Sequence, residues 1–176
     1  DSYNYGIKIE DSTASNTYFR HGCCGSKLEF EDSVVTGSSV GGNGGYIIIK
    51  NSKFLGSPVK ISGSYGSLTI ENSVIEYTTE ARNVGGEWTS ENYTGEYGLF
   101  VNASPVDITS TTIKGPGTGI GVDISGYNTN INITDSVITG TEKGVQIDGT
   151  YRDSNTIEIT GNNFVGNSSY LLENLS

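Results

Sequence analysis

The chain is expected to be an all-β solenoid of stacked strands, and three observations predict it. A ten-residue phrase returns six times, most of its intervals lie near 20 to 26 residues, and no stretch carries convincing helical periodicity. The phrase reads LEFEDSVVTG at Leu28 to Gly37, IIIKNSKFLG at Ile47 to Gly56 and LTIENSVIEY at Leu68 to Tyr77. It returns as VDITSTTIKG at Val106 to Gly115, INITDSVITG at Ile131 to Gly140 and IEITGNNFVG at Ile157 to Gly166.

Each copy opens with apolar residues at its first and third positions, the period-two signature of a strand with one buried face. The pair that follows is Asp32-Ser33, Asn51-Ser52, Asn72-Ser73, Ser110-Thr111, Asp135-Ser136 or Gly161-Asn162. These residues suit a tight bend, because Gly, Asn and Asp tolerate left-handed backbone angles and short polar side chains bond to nearby backbone groups. A second short strand should then direct Val35, Phe54, Ile75, Ile113, Ile138 and Phe164 inward. A further apolar strand lies between copies at Val59 to Ile61, Leu99 to Val101, Ile120 to Ile124 and Val145 to Ile147, which makes three strands per coil. Tyr5 to Ser12 fits either another copy of the phrase or the intervening strand. Its match to Tyr97-Gly98-Leu99-Phe100-Val101-Asn102 favours the intervening strand.

With these strands and this polar pair, roughly residues 5 to 175 resemble the right-handed parallel β-helix family, the pectin-lyase-like architecture of many extracellular polysaccharide enzymes, tailspikes and surface proteins. The resemblance implies a single-stranded right-handed parallel β-helix of about seven coils with three short strands each. It also implies that the polar pair forms the short turn between the second and third sheets, where polar residues stack in ladders. Residues 1–176 are read as one domain, expected to be a segment of a longer secreted or surface protein.

The apolar share of 34% would be poor for a compact globule, but a narrow solenoid core needs few inward residues per coil. A net charge of −10 argues against nucleic acid and anionic membrane surfaces as partners, and no apolar run approaches a membrane span. Cys23 and Cys24 are adjacent, too close for an unstrained disulfide to each other. They read as one packed and one exposed thiol, with an intermolecular bridge or a metal site beside His21 as the sharper alternative. Paired metal-ligand spacing is absent, and neither a metal nor a cofactor is expected. Five Asn-x-Ser/Thr sequons, at Asn92, Asn102, Asn132, Asn167 and Asn174, are about what chance supplies in so Asn- and Ser-rich a chain.

The interval of 38 between Asn72 and Ser110 marks an inserted loop at 78–97. It holds the only Trp, Trp88, with Arg82, Glu87 and Tyr93. An aromatic ring beside carboxylates suits a sugar's apolar face and hydroxyl rim, although Trp88 folding back onto the sheet is the competing structural reading. The resemblance implies that this loop joins the third sheet to the first and borders a groove. Lining that groove would be the outward residues of the intervening strands: Lys8 and Glu10, Lys60 and Ser62, Phe100 and Asn102, Asp123 and Ser125, and Gln146 and Asp148.

Strands about 4.8 Å apart and outward residues about 6.6 Å apart along a strand would set Asp123 and Asp148 diagonally at roughly 8 Å. That separation suits an inverting glycosidase pair, although outward Asp residues are expected on any acidic solenoid. Arg20-His21-Gly22 is only faintly similar to the Gly-His-Gly element of polygalacturonases, whose companion motifs are missing, and no acidic cluster has the pectate-lyase form. The expectation is therefore an extracellular or cell-surface module with a structural, adhesive or glycan-binding role. Its contact residues would be Trp88, Arg82, Tyr93, Glu87, Phe100 and Asn102. The alternatives are a polysaccharide lyase or glycoside hydrolase using Asp123 and Asp148, and a self-assembling subunit that stacks end to end.

Overall fold

The computed structural model describes residues 6–21, 25–62, 66–79, 82–83, 92–93, 96–102, 105–125, 130–148 and 156–174. They form a parallel β-solenoid of three seven-stranded sheets, about six turns of roughly 23 residues. Sheet 2 stacks the phrase's first strands: Gly6–Glu10, Lys27–Glu31, Tyr46–Lys50, Ser67–Glu71, Val106–Thr109, Ile131–Thr134 and Ile157–Thr160. Sheet 3 stacks its second strands: Thr13–Ser15, Val34–Thr36, Lys53–Leu55, Val74–Glu76, Thr112–Lys114, Val137–Thr139 and Asn163–Val165. Sheet 1 stacks Tyr18–His21, Ser39–Asn43, Val59–Ser62, Tyr97–Asn102, Ile120–Ser125, Lys143–Asp148 and Tyr170–Asn174.

Alternation along each strand sends one column of side chains inward at every coil. Leu28, Ile47, Leu68, Val106 and Ile131 stand in register and are buried, as are Phe30, Ile49, Ile70, Ile108 and Ile133. The eighth-position residues Val35, Phe54, Ile75, Ile113 and Ile138 close the core from sheet 3.

The polar pair makes the bend expected of it. Asp32, Asn51, Asn72, Ser110 and Asp135 all take φ near +49°, the left-handed region. The second member of each pair turns inward, and its oxygen serves two bonds. The Ser52 hydroxyl donates to Lys50 O at 2.7 Å and accepts the Ser33 N–H at 3.1 Å, and the Ser52 N–H in turn donates to Ser73 Oγ at 3.1 Å. This ladder continues through Thr111 and Ser136 to Asn162. Most buried polar groups in folded proteins are satisfied by hydrogen bonds, and these side chains supply one another's. Ser52→Ala is expected to cost about 1–2 kcal/mol by stranding the buried Ser33 N–H, read from urea denaturation.

The first coil corrects one expectation. Gly6–Glu10 belongs to sheet 2, pairing Ile7 with Leu28 and Ile9 with Phe30, so this segment is a seventh copy of the phrase rather than an intervening strand. Asp11 carries the φ of +49° that defines the bend, and Asp11-Ser12 is the polar pair. Lys8 and Glu10 therefore lie on sheet 2, where Lys8 pairs with Glu10 and Glu31 at 2.8 and 2.7 Å, and they line no groove on sheet 1. The sheet 1 strands of the first two coils are Tyr18–His21 and Ser39–Asn43.

A second ladder follows the tenth position of the phrase. Thr17 N–H donates to Ser38 Oγ, Ser38 N–H to Ser57 Oγ, and Thr141 N–H to Asn167 Oδ1. Tyr77 interrupts this corner. Its buried phenol donates to Thr118 O at 2.7 Å, and its ring occupies the space that a Cβ on Gly98 or Gly115 would need. Immediately after Tyr77 the chain leaves for the long insertion.

Candidate functional site

The outer face of sheet 1 gathers the polar and aromatic groups that the repeat does not require. Strand register places Arg20, Gly41, Lys60, Phe100, Asp123, Gln146 and Glu173 in one column across the sheet. Ser62, Asn102, Ser125 and Asp148 sit two residues further along their strands. Asp123 lies opposite Gln146 and Asp148 opposite Ser125, so the two carboxylates are diagonal neighbours as the sequence implied.

The centre of this face is partly dehydrated. Lys60 points outward yet is only 8% exposed, with its ammonium 5.1 Å from the centroid of the Phe100 ring. A cation over an aromatic face is held electrostatically, and the aliphatic stem covers the ring as well. Burial pushes the Lys60 amine below its usual range. Tyr97 also packs on Phe100, at 5.3 Å between ring centroids and with the rings tilted by 44°. Its phenol is held above the normal range by burial, reinforced by the negative charges of Asp123 and Glu96.

Among the described residues Asp123 is the carboxyl whose pKa is raised most strongly. Burial raises its pKa to about 6, Asp148 and Glu96 add to the rise, and Lys143 opposes it. Lys143 stands at the start of its strand and donates to Gln146 Oε1 at 2.8 Å, which sets its ammonium beside the Asp123 column. A carboxyl raised in this way changes its protonation state closer to neutrality than an ordinary Asp does.

The placement of the expected residues is uneven. Phe100 and Asp123 come together on adjacent strands, with Asn102 and Asp148 exposed in the parallel column. Arg82 and Tyr93 are opposite each other in the short antiparallel pair Arg82–Asn83 with Asn92–Tyr93. Trp88 and Glu87, like Cys23 and Cys24, lie outside the described residues. Lys143 and the packing of Tyr97 on Phe100 were not singled out from sequence, and Lys60, expected there as a groove-lining residue, was not expected over the Phe100 ring. A recurrent pattern could have found the first two, because Tyr97-Gly98-Leu99, Ile120-Gly121-Val122 and Lys143-Gly144-Val145 align in register and open each strand with a large side chain.

A separate groove of about 570 Å³ runs along the corner after sheet 3, lined by Leu55, Gly56, Tyr77, Thr78, Gly115 and Pro116 among others. Its charged wall is the Lys114–Glu76 ion pair at 3.2 Å, and it holds none of the sequence-predicted site residues. Among the described residues no group of three or more His, Cys, Asp or Glu is placed to hold a metal ion. No protein-family model matches the chain and no curated protein matches it, so the functional reading rests on the face of sheet 1 itself.

Proposed function

We propose that this chain is an extracellular or cell-surface glycan-binding module of the right-handed, pectin-lyase-like β-helix kind, and that the outer face of sheet 1 is its contact surface. The observation that carries the reading is the continuous row Lys60, Phe100, Asp123, Gln146, with Tyr97 packed on Phe100. An aromatic ring offers an apolar face to the C–H face of a sugar ring, and the amide, carboxyl and hydroxyl groups around it satisfy the sugar's hydroxyls. Parallel strands repeat these groups about every 4.8 Å, which suits an extended polymer lying across the coils. Asn102 and Asp148 form the second rail of the surface. Arg82, Tyr93, Glu87 and Trp88 of the insertion belong to the same proposal as its flanking contacts.

On a glycan array, Phe100→Ala and Asp123→Asn are each expected to weaken the best ligand by about tenfold or more, the scale of a lost interface anchor. Lys53→Ala, exposed on sheet 3, should leave binding unchanged. No ligand on the array, or equal binding by all three variants, would sink the reading.

A second reading is favoured by the Asp123 carboxyl alone. A carboxylic acid raised to about 6 with a second carboxyl diagonal to it is the arrangement an inverting glycoside hydrolase needs, Asp123 protonating the leaving oxygen and Asp148 activating water. Reducing ends released from a polysaccharide by the unaltered chain, and lost in both Asp123→Asn and Asp148→Asn, would establish it. Binding without any release would leave the module reading in place.

A further inference from the structure

The two ends of the solenoid are complementary to each other. From this complementarity we infer that the chain docks head to tail on a second copy of itself, the last coil of one copy receiving the first coil of the next. The inference is independent of the glycan reading. In all three sheets the strands of the first and last coils stand at opposite edges, each with one side unpaired by the described strands. Both edges expose apolar side chains: Ile7 at 58% on the first coil, and Ile157, Val165, Tyr170, Leu171 and Leu172 at 39–54% on the last.

Continuing the observed register by one coil brings these edges together residue by residue. In sheet 2 the column ending at Ile131 and Ile157 would meet Ile7 of the second copy, and the column ending at Ile133 and Ile159 would meet Ile9. In sheet 3 the bulky Phe164 would meet the small Ala14, and in sheet 1 Leu172 would meet Phe19. Four of the five inward columns therefore continue as apolar columns, with the sheet 3 contact setting a large residue against a small one, and in the fifth, which ends at Ile147 and Asn174, the register brings His21 of the second copy opposite Asn174.

The continued register also matches charges. Glu158 falls opposite Lys8 and Glu173 opposite Arg20. Glu10 meets Thr160 and Asp11 meets Gly161, so these columns bring no two like charges together in a chain whose net charge is −10. Opposite charges directly across a strand pair favour register, and like charges there disfavour it.

Both polar ladders continue as well. Each N–H of the first ladder, and those of the second on either side of the Tyr77 interruption, donates to the side-chain oxygen of the following coil, which leaves Asn162 and Asn167 as the last rungs. The hydroxyls of Ser12 and Thr17 each donate to the carbonyl two residues back, as the inner rungs do. Their oxygens are the acceptors that the Asn162 and Asn167 N–H groups of a preceding copy would reach. An edge of this kind is a template for strand addition, and a heterologous contact that does not close produces an open filament.

Sedimentation velocity over a concentration series, with electron microscopy of the concentrated sample, tests the inference on the unaltered chain. Linear stacks that lengthen with concentration are expected. Arg20→Glu and Glu173→Arg should each weaken association by about tenfold or more, and the double exchange should restore it, because the pair is then reversed rather than broken. Circular dichroism and thermal melting of each variant must match the parent, which exposed Arg20 permits. Arg20→Glu added to the unaltered chain should shorten the stacks, since its last coil still docks while its first does not. A strictly monomeric chain, a dimer that stops at two, or stacks indifferent to both charge reversals would each overturn the inference.

Discussion

Phe54→Ala is expected to lower the unfolding free energy by about 3–5 kcal/mol, the range for deleting a fully buried aromatic ring. Phe54 is completely buried and packs edge to face on Phe30 at 5.0 Å, which packs the same way on Phe19 at 5.1 Å. The three rings come one from each sheet and step through the first three coils as successive edge-to-face contacts. Each coil rests only on its neighbours, so the cavity cannot be filled by rearrangement from a distance. Phe164→Ala removes the same ring from the half-exposed last coil and should cost less than half as much. Urea denaturation followed by circular dichroism compares the two. Equal losses would show that the core is not layered as described.

Asp123→Asn is expected to stabilise the chain at pH 8 by roughly 1–3 kcal/mol and to leave it unchanged near pH 3.5. The carboxyl titrates at about 6 in the folded chain and at 3.8 when unperturbed, because burial and the charges of Asp148 and Glu96 disfavour its ionised form. Below the lower value both states hold the proton, and the group has no effect on stability. Between the two, the unfolded chain releases its proton while the folded chain keeps it, so stability falls as pH rises. Above about 6 the full cost is present, and the amide, which never ionises, escapes it. Thermal unfolding of parent and variant at both pH values measures the difference. A variant no more stable than the parent at pH 8 would mean that the carboxyl is fully hydrated.

Expecting a stacked-strand solenoid needed little more than Ile131-Asn132-Ile133 and its five counterparts, because alternation and a bend residue are local properties that sequence spacing displays directly. The first coil was misread because Tyr5-Gly6-Ile7 matches Tyr97-Gly98-Leu99 in apolar pattern, whereas its place in the coil is decided by Asp11-Ser12, whose left-handed bend only the polar pair signals. Ser39–Asn43 escaped notice because Gly41 and Gly42 leave its strand with no alternation to read. At the site, sequence spacing put Asp123 and Asp148 on neighbouring strands but could not say which carboxyl would be dehydrated. That depends on how deeply the packing of neighbouring coils buries each carboxyl, and the strands flanking Asp123 carry Phe100 and Gln146 in register with it.

Variation in coil length is confined to two of the three corners. From sheet 2 to sheet 3 the chain always crosses by the same polar pair, whereas the links into and out of sheet 1 range from two residues to the twenty between Glu76 and Tyr97. The strands before and after that longest link remain in register with their neighbours, Val74 with Thr112 and Lys60 with Phe100. The scaffold therefore separates the specification of its core from the specification of its loops. Foreign segments grafted at the sheet 1 corners, between Ser62 and Ser67 for example, should be carried without renegotiating the interior, while a single residue added at the polar pair would shift every inward side chain that follows within its coil.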